Sequence, residues 1–267
     1  MSVQTLYTAA TGMEALETKL DVIANNLANI NTLGFKKDRA NFEDLFYRQL
    51  TLPGTPDQSG QLTAVGTHVG LGARVSSVQM DFGQGALQET NRALDVAIQG
   101  NGFLQVQDAN GDTLYTRAGN LSLNADGALV MGSAGVGRIV QPQINVPQPY
   151  TELSISPDGR ILVREPGSTN LTEVAQLELA VFPNPEGLTK MGENLYAESD
   201  ASSTPTTANP GDQGVGQLSQ YRLEASDVEP VQELIDLITT QRSFELNSQA
   251  VQAGDQVLQL VSNLRRF

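Results

Sequence analysis

The stretch LYTAATGMEALETKLDVIANNLANI, residues 6–30, predicts a long amphipathic helix, and the rest of the sequence is interpreted from it. Its apolar residues are separated by alternating steps of three and four positions, the heptad spacing of a helix that packs along another helix. These residues are Leu6, Ala9, Met13, Leu16, Leu20, Ile23, Leu27 and Ile30. The pattern predicts a helix from about Thr5 to Asn31, with Gly34 as a left-handed stop after it.

The opposite end of the chain carries a second stripe, in the stretch VEPVQELIDLITTQRSFELNSQAVQAGDQVLQLVSNL at residues 228–264. Asp227 is expected to cap this helix, and Pro230 fits its first turn, where a missing N–H has little effect. Around Arg242 the steps are all of four residues, which is a stutter in the heptad register. The expected packing residues are Val231, Ile235, Ile238, Leu246, Ala250, Ala253, Val257, Leu260 and Leu264.

Two amphipathic helices at the chain ends allow two arrangements. They could pair within one chain as an ordinary helical layer, or they could also pack against copies of the same chain. A pair of helices leaves much of each stripe uncovered, and full burial of a Leu or Ile side chain is worth about 1.5–3 kcal/mol. The stripes therefore favour packing between subunits, with Ala9, Ala10, Ala250 and Ala253 permitting close helix approach.

The sequence between the helices predicts β structure. From about residue 84, short alternating apolar runs are separated by turn signals such as Asp126-Gly127 and Asp158-Gly159. The predicted fold class is α+β. The terminal helices, residues 1–31 and 227–267, pair as a coiled-coil layer, residues 32–83 form a connecting segment with a long loop or hairpin, and residues 84–226 form a β-rich domain. The composition of residues 51–67 predicts an exposed loop or a long hairpin.

Composition restricts the possible functions. The chain has 267 residues, no Trp and a net charge of −14, which argues against binding to nucleic acid or to an anionic membrane surface. The absence of Cys suits a protein that enters an oxidising space. The first eleven residues do not resemble a cleaved signal peptide, and no apolar run is long enough to span a bilayer. Lys36, Lys37 and Arg39 are expected to offset the negative end of the first helix.

Signatures of catalysis are missing from the sequence. A Ser–His–Asp triad would have to use the single histidine, His68, which lies in a Gly- and Thr-rich stretch without a nucleophile elbow. The Asp108, Asn110 and Asp112 spacing imitates the start of a calcium loop, but Thr113 and Gly119 occupy the positions of the required Gly and Glu. No enzyme activity, cofactor or metal is therefore expected. The alternative from another class is a periplasmic carbohydrate hydrolase, since thirty acidic residues always offer some carboxylate pair.

Six segments, in the same order along the chain, resemble bacterial flagellar rod and hook proteins. The most specific is ANNLANINTLGFK at residues 24–36, which carries the family motif Asn25, Asn26, Asn29, Thr32, Gly34 and Phe35. Residues 6–13 are most similar to the distal rod members of the family. Residues 94–103, 115–120, 192–196 and 231–247 also match.

The resemblance implies a structural subunit of the flagellar distal rod, with a proximal rod or hook subunit as the alternative. Such subunits form a straight, rigid, hollow helical tube that transmits torque and conducts exported subunits, and residues 46–69 help to make it straight. The implied partners are further copies of the chain, other rod proteins, hook subunits, the surrounding ring bushing and the export apparatus. The implied location is the periplasm-spanning part of the basal body, reached by export without a cleaved signal peptide.

Overall fold

The computed structural model describes residues 3–54, 56, 65–108, 110–132 and 137–264. These residues form two α-helices, twenty β-strands and a short 3-10 helix at Pro185–Gly187. They divide into two compact units: unit 1 contains the described residues within 1–27, 38–79 and 229–267, and unit 2 contains those within 28–37 and 80–228. Helices at both ends of the chain and a central region of many strands confirm the predicted α+β class.

Unit 1 contains both helices and two strand pairs. Helix α1 spans Val3–Ala28 and helix α2 spans Pro230–Leu264. The strands are β1 (Asp38–Asp44), β2 (Tyr47–Thr51), β3 (Thr67–Gly70) and β4 (Ala73–Met80), and β1 pairs with β4 while β2 pairs with β3. The β2–β3 pair is a hairpin whose connection is part of the loop predicted at residues 51–67, and residues 55 and 57–64 of that loop lie outside the described residues.

The helix boundaries differ slightly from the prediction. Helix α1 ends three residues before Asn31, because the asparagines in its last turns are better suited to a helix end than to a helix interior. Helix α2 begins at Pro230, which agrees with the expected position of this proline in the first turn. Asp227 does not cap α2 as expected. Its Oδ1 atom instead accepts a hydrogen bond from the backbone N–H of Lys37 at 2.8 Å.

Unit 2 is built from antiparallel strands. They are β5 (Leu87–Glu89), β6 (Val96–Gln99), β7 (Phe103–Gln107), β8 (Thr113–Thr116), β9 (Leu121–Leu123), β10 (Leu129–Met131), β11 (Arg138–Gln141), β12 (Glu152–Ile155), β13 (Arg160–Arg164), β14 (Thr172–Gln176), β15 (Leu179–Val181), β16 (Thr189–Gly192), β17 (Leu195–Ala197), β18 (Thr206–Ala208), β19 (Gln217–Gln220) and β20 (Arg222–Glu224). Predicted hairpins are present, and the turn between β12 and β13 places Gly159 at φ +85°.

The largest sheet of unit 2 has the order β16-β17-β8-β7-β11-β10-β9, and β15 pairs with both β7 and β18. Strands β12, β13 and β14 form a second sheet, while β19 pairs with β6 and β20 with β5. The core between them is aliphatic, with fully buried residues such as Ile98, Leu104 and Leu129. Beside it, Phe82, Phe103, Tyr115, Phe182 and Tyr196 pack edge to face.

Hydrophobic exposure differs strongly between the two units. Among the described residues, all but four of the large hydrophobic side chains that are exposed belong to unit 1, and the four in unit 2 are Tyr150, Leu171, Met191 and Tyr221. Unit 2 therefore has the surface of an ordinary self-contained domain, whereas unit 1 presents apolar surface to solvent. Extended exposed apolar surface of this kind marks an interaction site.

Candidate functional site

Helix α2 has a face that contacts α1 of the same chain. The least exposed positions of α2 recur every three or four residues at Leu237, Thr240, Phe244, Asn247, Val251, Gly254 and Leu258. A Cβ atom at Gly12 would lie 3.3 Å from Asn247 Nδ2, and one at Gly254 would lie 2.6 Å from Leu6 Cδ2. Since residue number rises along one helix as it falls along the other, the two helices run antiparallel.

The residues predicted from the α2 heptad lie on a different face of that helix, which we call the α2 stripe. Val231, Ile235, Ile238, Leu246 and Leu260 are 48–71% exposed. Ala250 and Ala253 are also exposed, Val257 is partly buried, and the side chain of Leu264 lies outside the described part of the structure. The α2 stripe is thus available for contacts beyond the chain.

The residues predicted from the α1 heptad are covered to a greater extent. Ile23 is buried, and Leu6, Ala9, Met13, Leu16, Leu20, Leu27 and Ile30 are partly buried. The face of α2 that contacts α1 was not predicted from the sequence. Its heptad was present in the sequence, but Thr240, Asn247 and Gly254 interrupt the apolar pattern.

The start of β4 lies beside another face of α1. Leu45, Ala73 and Val75 line a shallow groove together with Thr11 and Ala15 of the helix. Gly72 adopts φ +127°, and a Cβ atom at this position would collide with the Thr11 side chain. The connecting segment therefore packs on α1 through a close approach that glycine permits.

Two of the motif residues lie at the end of α1 in unit 1. The buried Asn26 side chain accepts a hydrogen bond from the Asp38 backbone N–H and donates one to the Asp38 carbonyl, each at 2.9 Å. It also donates to Glu233 of α2 at 3.5 Å. Asn26 thus joins the start of β1 to both helices, while the neighbouring Asn25 is exposed and forms contacts of its own.

The other motif residues shape the loop after α1 in unit 2. The hydroxyl of Thr32 donates to Asn29 Oδ1 at 3.1 Å. Gly34 adopts φ +66°, and a Cβ atom there would lie 3.0 Å from the backbone of Ala118, so this position favours glycine for two reasons. Phe35 is buried, with the Lys190 ammonium 4.9 Å from its ring centroid.

Lys36 and Glu224 form a buried ion pair that the sequence reasoning did not predict. Lys36 was expected to offset the charge of the α1 end, but its ammonium is fully buried 2.6 Å from Glu224 Oε1 and 2.5 Å from the Gly83 carbonyl. Glu224 also accepts from Arg117 Nε at 2.9 Å and from the Gly85 N–H at 3.0 Å. Burial lowers the pKa of Lys36, and the adjacent Glu224 opposes that shift.

Asp227 lies beside this buried ion pair in unit 2. One carboxylate oxygen accepts from Lys37, and the other is buried without a hydrogen-bond partner. Burial therefore raises the pKa of Asp227 above its ordinary value, although the Lys37 hydrogen bond and the charges of Lys36 and Lys37 act in the opposite direction.

Within the described ranges, no three His, Asp or Glu side chains are grouped so as to hold a metal ion. His68, the single histidine, is exposed on β3. Neither of the described α-helices is both long and apolar enough to cross a membrane.

Comparison with known proteins agrees with the resemblance in the sequence. Residues 6–36 match the family profile described as "Flagella basal body rod protein", and residues 97–163 match "Flagellar hook protein FlgE/F/G D1 domain". Residues 219–264 match "Flagellar basal body rod FlgEFG protein C-terminal". These three ranges contain α1 with the motif, the centre of unit 2 and most of α2.

Proteins described as "Flagellar basal-body rod protein FlgG" are similar over nearly the whole chain. The one from Caulobacter vibrioides is 43% identical over 263 residues, which covers 98% of this chain and 99% of the relative. The one from Buchnera aphidicola subsp. Baizongia pistaciae is 42% identical over 259 residues, 97% of this chain and 98% of the relative. The chain belongs to the FlgG family of flagellar basal-body rod proteins. The family prediction made from the six sequence segments is thereby confirmed.

A more distant relative is the "Flagellar hook-basal body complex protein FlhP" of Bacillus subtilis. It is 30% identical over 276 residues, which covers 98% of this chain and 99% of the relative. The FlgG proteins are thus more similar to this chain than FlhP is.

Proposed function

We propose that this member of the FlgG family is a structural subunit of the flagellar distal rod, which polymerises into a straight, rigid, hollow helical tube. The observation that carries the proposal is the α2 stripe, a row of exposed apolar side chains on a helix whose opposite face already contacts α1. A helix with one face packed on α1 and an exposed apolar stripe on another suits a layer in which it has two neighbours.

The free energy available at the α2 stripe is sufficient to drive association. Five of its side chains are about half exposed or more, and each Leu, Ile or Val is worth about 1.5–3 kcal/mol on full burial. Covering the exposed half of all five would contribute about 4–8 kcal/mol per subunit before the entropic cost of association. In a polymer that repeats this contact, the same free energy would stabilise the association of every subunit.

We propose that the terminal helices, residues 1–31 and 227–267, form a coiled-coil inner layer of the tube and that the β-rich domain, residues 84–226, forms its outer layer. The antiparallel contact of α1 with α2 supports the first part. The self-contained surface of unit 2 supports the second. Residues 32–83 would then act as the connecting segment, and the exposed Phe46 and Leu50 near its hairpin are available for contacts that stiffen the tube.

The proposed role carries further features that rest on membership in the family. The subunit would reach the periplasm-spanning part of the basal body by export without a cleaved signal peptide. Its neighbours would be further copies of the chain, other rod proteins, hook subunits and the ring bushing, and it would have no catalytic activity.

The proposal is tested by sedimentation and electron microscopy of the purified full chain at increasing concentration. We expect elongated polymers from the unmodified protein, and we expect Ile238→Asp or Leu246→Asp to keep it monomeric while the β-rich unit stays folded. Gln241→Asp is the matched control, because this exposed α2 residue lies on neither the α2 stripe nor the α1-contacting face. Normal polymers from both stripe variants would contradict the proposal.

A further inference from the structure

Helix α1 has an exposed face whose spacing matches that of the α2 stripe. We call it the outer face of α1, and it consists of Tyr7, Ala10, Glu14, Glu17, Asp21 and Ala24, again three and four residues apart. The side chains at the two ends of this face are those of Tyr and Ala, and the three in the middle are carboxylates. Among the described residues, none of these carboxylates takes part in an ion pair, so they repel one another along one side of the helix.

The α2 stripe has the opposite arrangement of charge. Arg242 is exposed at the centre of the stripe, with Ile238 on one side and Leu246 on the other. No ion pair in the described part of the chain involves Arg242. When the apolar residues around it are covered, its guanidinium must be buried as well, and a buried charge needs a counter-charge in the covering surface.

We propose that the α2 stripe of one subunit docks on the outer face of α1 of a second copy, with Arg242 against the carboxylates of Glu14, Glu17 and Asp21. This contact rests on the proposed function, since it is the helix contact of the polymer. The stripe from Val231 to Ala253 extends over about 33 Å and the outer face from Tyr7 to Ala24 over about 26 Å at the rise of an α-helix. In a docked pair, Arg242 can therefore lie against the carboxylates while the apolar ends of the two faces contact each other.

The principal alternative is contact between the α2 stripes of two subunits. In an antiparallel pair of stripes, Arg242 of one helix would face Arg242 of the other, because it lies midway between Val231 and Ala253. Two like charges in a covered apolar contact are strongly unfavourable. When the α2 stripe of one subunit docks on α1 of another, each subunit keeps one of its two docking surfaces free, so further copies can add and form a filament. Contact between two identical stripes uses the same surface on both subunits and stops at a dimer.

A charge exchange tests the contact. We expect Arg242→Glu to raise the critical concentration for polymerisation about tenfold or more, because it places a fourth carboxylate against Glu14, Glu17 and Asp21. Glu17→Lys should raise it by less, because Arg242 then still faces two carboxylates. The double variant should lower the critical concentration about threefold or more relative to Arg242→Glu alone, since it restores one opposite-charge pair with its signs reversed while Glu14 and Asp21 are unchanged. The control Arg39→Glu changes an exposed residue on β1, outside both helix faces, and should have no effect. Far-UV circular dichroism of each variant monitors helix content.

Two outcomes overturn the contact while leaving the proposed function intact. One is unchanged polymerisation of Arg242→Glu, and the other is a double variant no better than the worse single variant. A chain carrying both Ile238→Cys and Leu246→Cys examines the alternative directly, because Ile238 of one stripe faces Leu246 of the other when Arg242 faces Arg242, and the protein has no native Cys. A disulfide between two α2 helices would mean that the stripes face each other. An unmodified protein that remains monomeric at every concentration would contradict the proposed function itself, and this contact with it.

Discussion

Replacing Glu224 with glutamine removes the negative charge that lies between Lys36 and Arg117 in unit 2. The carboxylate accepts hydrogen bonds from both cations and from the backbone N–H of Gly85, at 2.6–3.0 Å, and its side chain is fully buried. Glutamine has the same size, but its amide N–H groups would point at one of these donors. Lys36 and Arg117 would then lose the carboxylate that lies between them.

Breaking a buried ion pair by changing one partner destabilises a protein by about 3–5 kcal/mol. For a domain of this size, each kcal/mol lowers the unfolding midpoint by about 2–4 °C, so Glu224→Gln should lower the midpoint of unit 2 by about 6–20 °C. Near-UV circular dichroism measures this transition through the packed rings of Tyr115 and Tyr196.

The matched control is Glu89→Gln, which removes the carboxylate of the surface pair between Arg222 and Glu89. Since exposed ion pairs contribute little to stability, the unfolding free energy of the Glu89→Gln variant should stay within about 1 kcal/mol of that of the unmodified protein. If Glu224→Gln were no more destabilised than this control, the buried charges of Lys36, Glu224 and Arg117 would not depend on one another for stability.

Three further predictions concern single residues. Gly34→Ala should destabilise unit 2 by about 1–3 kcal/mol in urea unfolding, because its positive φ and its close backbone neighbours both oppose a Cβ; Gly167→Ala, with a positive φ but open space, isolates the first effect, and equal losses would exclude a steric contribution. Asn26→Ala should weaken unit 1 by about 2 kcal/mol and speed hydrogen exchange at the first amide of β1, and unchanged exchange there would contradict the bridging role. For Asp227, a folded-state pKa above the unfolded value means that protonation favours the folded state, so stability contributed by this group is gained as pH falls through the folded pKa. Asp227→Asn should therefore be at least as stable as the unmodified protein at neutral pH, with the difference narrowing toward about pH 4 in thermal unfolding, and a widening difference would contradict the sign.

The sequence predicted the helices and the fold class because both depend on local periodicity. The heptad of α1 and the turn signals of the β-rich region need no knowledge of distant residues. The face of α2 that contacts α1 was missed, because Thr240, Asn247 and Gly254 occupy it and hydrophobicity alone selects the α2 stripe instead. A polar heptad position is recognisable only when its partner is known, as for Asn247 beside Gly12.

The burial of Lys36 could not be predicted from its sequence neighbours. Lys37 and Arg39 lie close to Lys36 in the sequence and suggest a solvated basic cluster. No neighbouring residue indicates that Lys36 alone of the three is buried. The partner, Glu224, lies 188 residues away along the chain. The same holds for Asp227, whose position before α2 suggested a cap, while its hydrogen bond with Lys37 spans 190 residues.

The division of the chain into interleaved units has a consequence for the order of folding. Unit 2 is contiguous except for residues 28–37, whereas unit 1 is completed by residues 229–267. The entropic penalty for joining chain ends grows with the length of flexible chain between them, and prior folding of unit 2 shortens that length. Pairing of α1 with α2 is therefore expected to follow the folding of unit 2, and it requires the last segment of the chain. A chain that stops before α2 would carry a folded β-rich unit and an α1 helix without its partner.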